Sequence, residues 1–221
     1  MGTAEQTIND TLIISSHIIT YGNAANTELT ENIRDEIETM WNEPKGIIHL
    51  QHKTWLVIFR ITAAWDPALI PEDIFENTDP RNNYFRIEEF AHGNISFVDG
   101  LNCNSGYFKL ENLYRGSTTA AHEYGHTLGL DHPLNMDIRG KGIPGIMYPR
   151  GTLVDPQYQY NPEGRAGNSS NGGTMHPMHR RVLQADIENL KLGKLDFRKG
   201  QAIIGEFSSI WHPDHADKTN W

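Results

Sequence analysis

A single cysteine, Cys103, stands among 221 residues, so no disulfide can form within the chain and a disulfide-held scaffold is excluded. Nor is there an apolar run of about 18 residues, the length a membrane-spanning helix needs, and no membrane partner is expected. Basic side chains are outnumbered: 19 lysines and arginines against 28 aspartates and glutamates give a formal net charge of -9. That balance argues against nucleic acid as a partner, because nucleic acid asks for a basic footprint. The opening residues, M-G-T-A-E-Q-T-I-N-D, lack the basic start and apolar run of a secretory signal. A cytosolic protein, one exported without such a peptide and one whose peptide was removed all fit, with export the favoured expectation. The length suits one domain of two lobes around a shared cleft, about 1–132 and 133–221, with ample chain to bury a core.

What the chain does have is concentrated at residues 118–133, T-T-A-A-H-E-Y-G-H-T-L-G-L-D-H-P. His122 and His126 are four apart, so on a helix they lie one turn above the other and both imidazoles reach one ion. Gly129 stands where a helix can end in a left-handed turn, which lets His132 approach the same ion from outside the helix. Three nitrogens with a fourth position open to water is the ligand count of a catalytic zinc rather than a structural one. Glu123 points elsewhere than His122, and its carboxylate flanks the open position as a general base. An ordinary buried helix has no use for such a set, because an unpaired buried carboxylate costs several kcal/mol.

Around this stretch the pattern reads as α+β. Thr11–Tyr21 is β-branched and strand-like. A helix follows from Asn26, with Leu29, Ile33, Ile37, Met40 and Trp41 on one face, Thr27 as its N-cap and Pro44 beyond its end. Strands are expected at 47–49 and 55–63, then a loop broken by Pro67, Pro71 and Pro80. Residues 84–98 give two strand-like runs about a turn near Gly93, 107–113 another strand, and 182–192 a closing helix. The loop 99–106 is dense in short oxygen-bearing side chains. Asp99, Asn102 and Asn104 can hold calcium, or the same residues can form an Asx-rich turn with no ion. His17, His176, His179, His212 and His215 read as strand, surface, capping or tail residues rather than ligands. Residues 202–204 form a short apolar run in the tail.

The stretch at 118–133 resembles the metzincin signature, H-E-x-x-H-x-x-G-x-x-H followed by a Met-turn, and matches every specified position. G-I-M-Y-P at 145–149 supplies the Met-turn, closest to the matrixin branch, whereas Pro133 after the third histidine looks like the serralysin branch. The resemblance implies a zinc endopeptidase in which His122, His126 and His132 hold one zinc, Glu123 activates a water on it, and Met147 forms an apolar floor. It also implies a twisted mixed sheet over the cleft, with the active-site helix and a small loop-rich C-terminal lobe with a closing helix. An edge strand, at 91–99 or 106–112, would pair with an extended protein or peptide substrate. Tyr148, Pro149 and Arg150 would wall the specificity pocket. His92-Gly93-Asn94 is similar to the matrixin structural-zinc segment, but an asparagine replaces the aspartate and the later histidines are missing, so a second zinc is not expected. Residues 150–178 are longer than a matrixin carries there, and their glycines and serines imply mobility unless packed or ion-bound.

Two rivals share the zinc. One is a binding module without catalysis, against which the intact Glu123 argues; the other is a zinc amide hydrolase acting on a non-protein substrate such as a cell-wall peptide.

Overall fold

The computed structural model describes residues 1–50 and 52–215. Its organising strand is β2 (Thr11–Tyr21), in which buried and half-buried residues alternate. Leu12, Ile14, Ser16, Ile18 and Thr20 face the core, as period-2 geometry requires. Along one edge β2 pairs in parallel with β4 (Lys53–Trp65) from Thr11↔Leu56 to Thr20↔Trp65. Along the other it pairs first with β1 (Gly2–Gln6), antiparallel, and then with β5 (Asn82–Glu88), parallel. β3 (Ile47–Leu50) lines β4, while β7 (Ser105–Lys109) and then β6 (Phe97–Val98) extend the β5 side. The result is one curled mixed sheet in the order β3-β4-β2-β5-β7-β6 with β1 beside β2. Few helices accompany it, and the architecture is α+β.

Helix α1 (Thr27–Asn42) lays Thr30, Ile33, Ile37 and Trp41 on the sheet. Its N-cap is Asn26, not Thr27. Asn26 is extended, so its side-chain oxygen accepts from the Leu29 N–H at 2.9 Å, while Thr27 is already helical. Beneath the sheet lies α3 (Thr119–Thr127), held by two buried aromatics. The Trp41 indole donates to the Ala121 carbonyl at 3.1 Å, and the Tyr124 hydroxyl bonds Ser16 Oγ at 2.8 Å. Trp41, Phe59 and Tyr124 pack on one another at 5.1–6.4 Å between ring centres, a geometry that adds to plain burial.

Other expectations shift. The proline loop contains a short helix, α2 (Pro71–Phe75), because Pro71 fits a first helical turn and Asp73 accepts from the Ile70 N–H. The strand expected at 107–113 stops at Lys109 and tightens into a 3-10 turn, Leu110–Leu113. In 84–98 only β5 and the two-residue β6 are extended, with a 3-10 turn at His92–Asn94 between them. The closing helix, α4, is shorter than 182–192 and spans Gln184–Asn189.

The C-terminal part is loop-rich but does not remain a separate lobe. After α4 the chain returns to the sheet, where β8 (Gln201–Ile204) pairs with β1 from Gly2↔Ile204 to Glu5↔Gln201. The long segment at 150–178 is packed. Val154 and Met175 are fully buried with Ile138, Tyr148 and Tyr158 lean on them, and the Gln159↔Met175 bridge closes the loop.

Candidate metal centre and cleft

Helix α3 ends as the glycine at 129 requires. Gly129 has φ +91°, the left-handed region in which a side chain is strained. Its N–H returns to the His126 carbonyl at 3.0 Å and the Leu130 N–H to the Gly125 carbonyl at 3.0 Å, a Schellman pair. The chain thereby doubles back and presents His132 to the helix face. His132 Nε2 lies 3.1 Å from His122 Nε2 and 3.2 Å from His126 Nε2. Three nitrogens bound tetrahedrally at zinc–nitrogen distances of 2.0–2.1 Å stand about 3.3 Å apart, so the spacing is that of a ligand set.

The orientation of the rings is fixed from behind. His122 Nδ1 donates to the Ile146 carbonyl and His126 Nδ1 to the Leu130 carbonyl, each at 2.7 Å. With Nδ1 protonated, the Nε2 lone pairs of both rings face the common point. Burial holds all three imidazoles below their ordinary range, most strongly His122. Neutral rings whose lone pairs converge have no proton left to share among them, and a cation answers that arrangement. His122, His126 and His132 can hold one metal ion.

Met147 is buried directly beneath. Gly125, between the two helical histidines, leaves room for it: a Cβ there would stand 2.3 Å from the Met147 sulfur. Glu123 is 6 % exposed. Burial pushes its carboxyl up to about 8, against the charge of Arg180 and the Val98 amide; a divalent cation at the histidines would pull it down again.

A cleft of about 420 Å³ opens in front of these groups, lined by all three histidines, Glu123, residues of β6, Pro149, Arg150 and Arg180. A larger open groove of about 1370 Å³ follows the outer side of α1, but it reaches none of the three histidines, and the smaller cleft is the one with convergent chemistry. Of the three residues expected to wall a pocket, Pro149 and Arg150 line this cleft. Tyr148 does not, because its ring packs on the Ile138, Val154 and Met175 cluster.

Asp99, Asn102 and Asn104 take up another task. The Asp99 carboxylate accepts from Ser105 Oγ at 2.6 Å and meets His212 Nε2 at 2.9 Å. Asn104 Oδ1 accepts from the N–H and hydroxyl of Ser208 at 2.8 and 2.9 Å. The Asn102 N–H donates to the His126 carbonyl at 2.9 Å, and its side chain abuts Gly129. Asp99 and Asn104 are thus committed to Ser105 and the tail, and Asn102 to the end of α3. His176 accepts from the Met178 N–H and caps a 3-10 turn, and His215 stacks on Tyr107 at 3.8 Å.

Two residues of the site escape sequence reading. Glu36, on α1, accepts from the Ala121 N–H at 3.2 Å and so caps α3 from outside; burial raises its pKa. Arg180 donates from Nε to Thr118 Oγ1 and from Nη2 to the Ser117 carbonyl at the same helix end. Neither stands at a motif spacing: Glu36 is one of several acidic residues along α1, and Arg180 is one of two adjacent arginines after His176 and His179. Compared with protein-family models and with curated proteins, the chain finds no match in either.

Proposed function

We propose that the chain is a zinc-dependent endopeptidase of the metzincin type. The convergence of three imidazole Nε2 atoms beside a buried carboxyl, in a cleft under a sheet edge, carries this reading. His122, His126 and His132 would hold the zinc, which when bound would supply Lewis acidity and make a water acidic enough to lose its proton near neutral pH. Glu123 would accept a proton from the attacking water and deliver it to the leaving amine, general acid–base work for which its carboxyl stands on the cleft lining with the three histidines. β6 is the last strand of the sheet, so its outer edge offers backbone donors and acceptors to an extended peptide, and Val98 brings that edge to Glu123. Met147 and the carbonyls of Ile146 and Leu130 keep the imidazoles aimed. None of the helices among the described residues is long and apolar enough to cross a membrane.

Metal content and hydrolysis of an unstructured protein and a quenched peptide library, for the wild type and Glu123→Ala side by side, test the reading. Both are expected to carry one zinc, with turnover in the variant down by about 10²–10⁴-fold. Zinc in both and hydrolysis by neither would replace the peptidase with a binding module.

A further inference from the structure

Arg180 is 3 % exposed, yet its guanidinium bonds only neutral oxygens. It donates to Thr118 Oγ1 at 2.8 Å, to the Ser117 carbonyl at 3.1 Å and to the Tyr148 carbonyl at 3.3 Å. It forms no ion pair among the described residues. Burial lowers its pKa to about 10, which still leaves it a cation at neutral pH. Of the two carboxyls near enough to feel its charge, Glu36 is occupied by the backbone amide of Ala121 and Glu123 by that of Val98. Withdrawing a guanidinium from water without a carboxylate is costly, and five fork-like donors suit a carboxylate better than scattered carbonyls.

Arg180 lines the cleft beside the candidate metal centre. Arg150 lines it too and is exposed at its rim, with Pro149, Asn112 and Thr119 completing that side. Among the described residues, Glu123 is the only acidic side chain on the cleft's lining. Two cations in a confined, low-dielectric recess focus a positive field there, one as a buried floor and the other where an entering chain first meets it.

We propose that this recess takes a carboxylate of the substrate next to the bond that is cut: the side chain of an aspartate or glutamate, or the free carboxylate of the substrate's own C-terminus. Arg180 and Arg150 are then specificity residues. The inference rests on the peptidase reading for the position of the cut bond, but the recess itself is defined without it.

The test has two arms. In the first, peptides identical except for Glu, Gln or Leu on either side of the cut bond, each with a free or an amidated C-terminus, are offered to the zinc-loaded chain, to Arg150→Gln and to Arg180→Met. Glu is expected to exceed Gln in kcat/KM by at least about tenfold, and Arg150→Gln to shrink that ratio. Dependence on the free acid instead of the side chain would assign the C-terminal carboxylate. Arg180→Met disturbs Ser117 and Thr118 and can fail to fold; Arg150→Gln, on the surface, keeps the test decisive. In the second arm, the Nε–H resonance of Arg180 is followed in the full chain carrying Glu123→Gln while N-acetyl-glutamate amide or N-acetyl-glutamine amide is added. A shift with the acid alone supports the recess even if no peptide is cut, in which case the peptidase reading and the position beside a cut bond fall and the carboxylate recess stands. Cutting with no preference for a carboxylate, or an equal response to both amides, overturns the inference and leaves the peptidase intact.

Discussion

A methyl group on Gly125 would sit 2.3 Å from the Met147 sulfur and 3.3 Å from the Trp41 ring, so this position admits hydrogen alone. Gly125→Ala is expected to lower stability by about 1–3 kcal/mol, the cost of overpacking a well-filled core. Zinc affinity should weaken with it, since the helix and the floor separate. Urea unfolding of Gly125→Ala, Met147→Ala and the double variant checks the cause. Truncating Met147 is damaging by itself, but the pair should be less destabilised than the sum of the singles; simple additivity would show that the clash is elsewhere. The convergence within 118–133 could be read at this scale because its geometry is local: four residues of spacing bring two imidazoles together, and a left-handed glycine turns the third toward them. Arg180 and Glu36 could not be read, because their roles exist only once α1 and the segment before α4 have been brought to the start of α3.

At the scale of elements, the start of α4 is joined to the floor of the site. The Asp186 carboxylate accepts from the Leu183 N–H at 2.7 Å, and the Ile146 amide lies beside it, on the residue whose carbonyl orients His122. Burial pushes Asp186 up to about 6 against the pull of those two amides. The unfolded chain releases this proton near the ordinary aspartate value of about 3.9, so between these limits the folded state holds a proton that the unfolded state has lost. The contribution of Asp186 is therefore fully present below pH 4 and declines as pH rises to about 6, by about 3 kcal/mol. Asp186→Asn keeps an acceptor without a titration. The difference in unfolding free energy between variant and wild type should grow across that window and be flat above it; a constant difference would mean that Asp186 titrates normally. The same scale explains which elements sequence reading recovers. β2, β4 and α1 are long and periodic, so their positions follow from pattern. β1, with the residues G-T-A-E-Q, and the two-residue β6 have no period of their own and are strands because their neighbours supply partners.

For the whole molecule, the tail is a strap. Beyond β8, the Glu206 N–H reaches the Asn102 carbonyl, Ser208 reaches Asn104, Trp211 stacks on Tyr21 at 4.9 Å, and the His212 carbonyl accepts from Arg86. Through Asn102 the strap touches the end of α3. Asn104 is fully buried, so Asn104→Ala leaves the Ser208 N–H and the Asn82 carbonyl without their partner and should cost about 1–3 kcal/mol. Hydrogen exchange would then quicken at 206–212 and at the last turn of α3. Millimolar calcium should leave the melting temperature of the wild type unchanged, because the side-chain oxygens of Asp99 and Asn104 already have donors; a rise would restore the calcium reading.

β1 has a history as well as a place. It pairs with β2 within a few residues of chain, but its other edge is covered only by β8, with Gly2 opposite Ile204. On a ribosome adding about 5–20 residues per second, the cover arrives roughly 10–40 s after the strand it protects. Throughout that interval the nascent chain displays a row of unpaired backbone groups of the kind that recruits neighbouring strands. A ribosome-tethered chain halted before Gln201 is expected to depend on a chaperone at that edge, and one extended past Ile204 to need none.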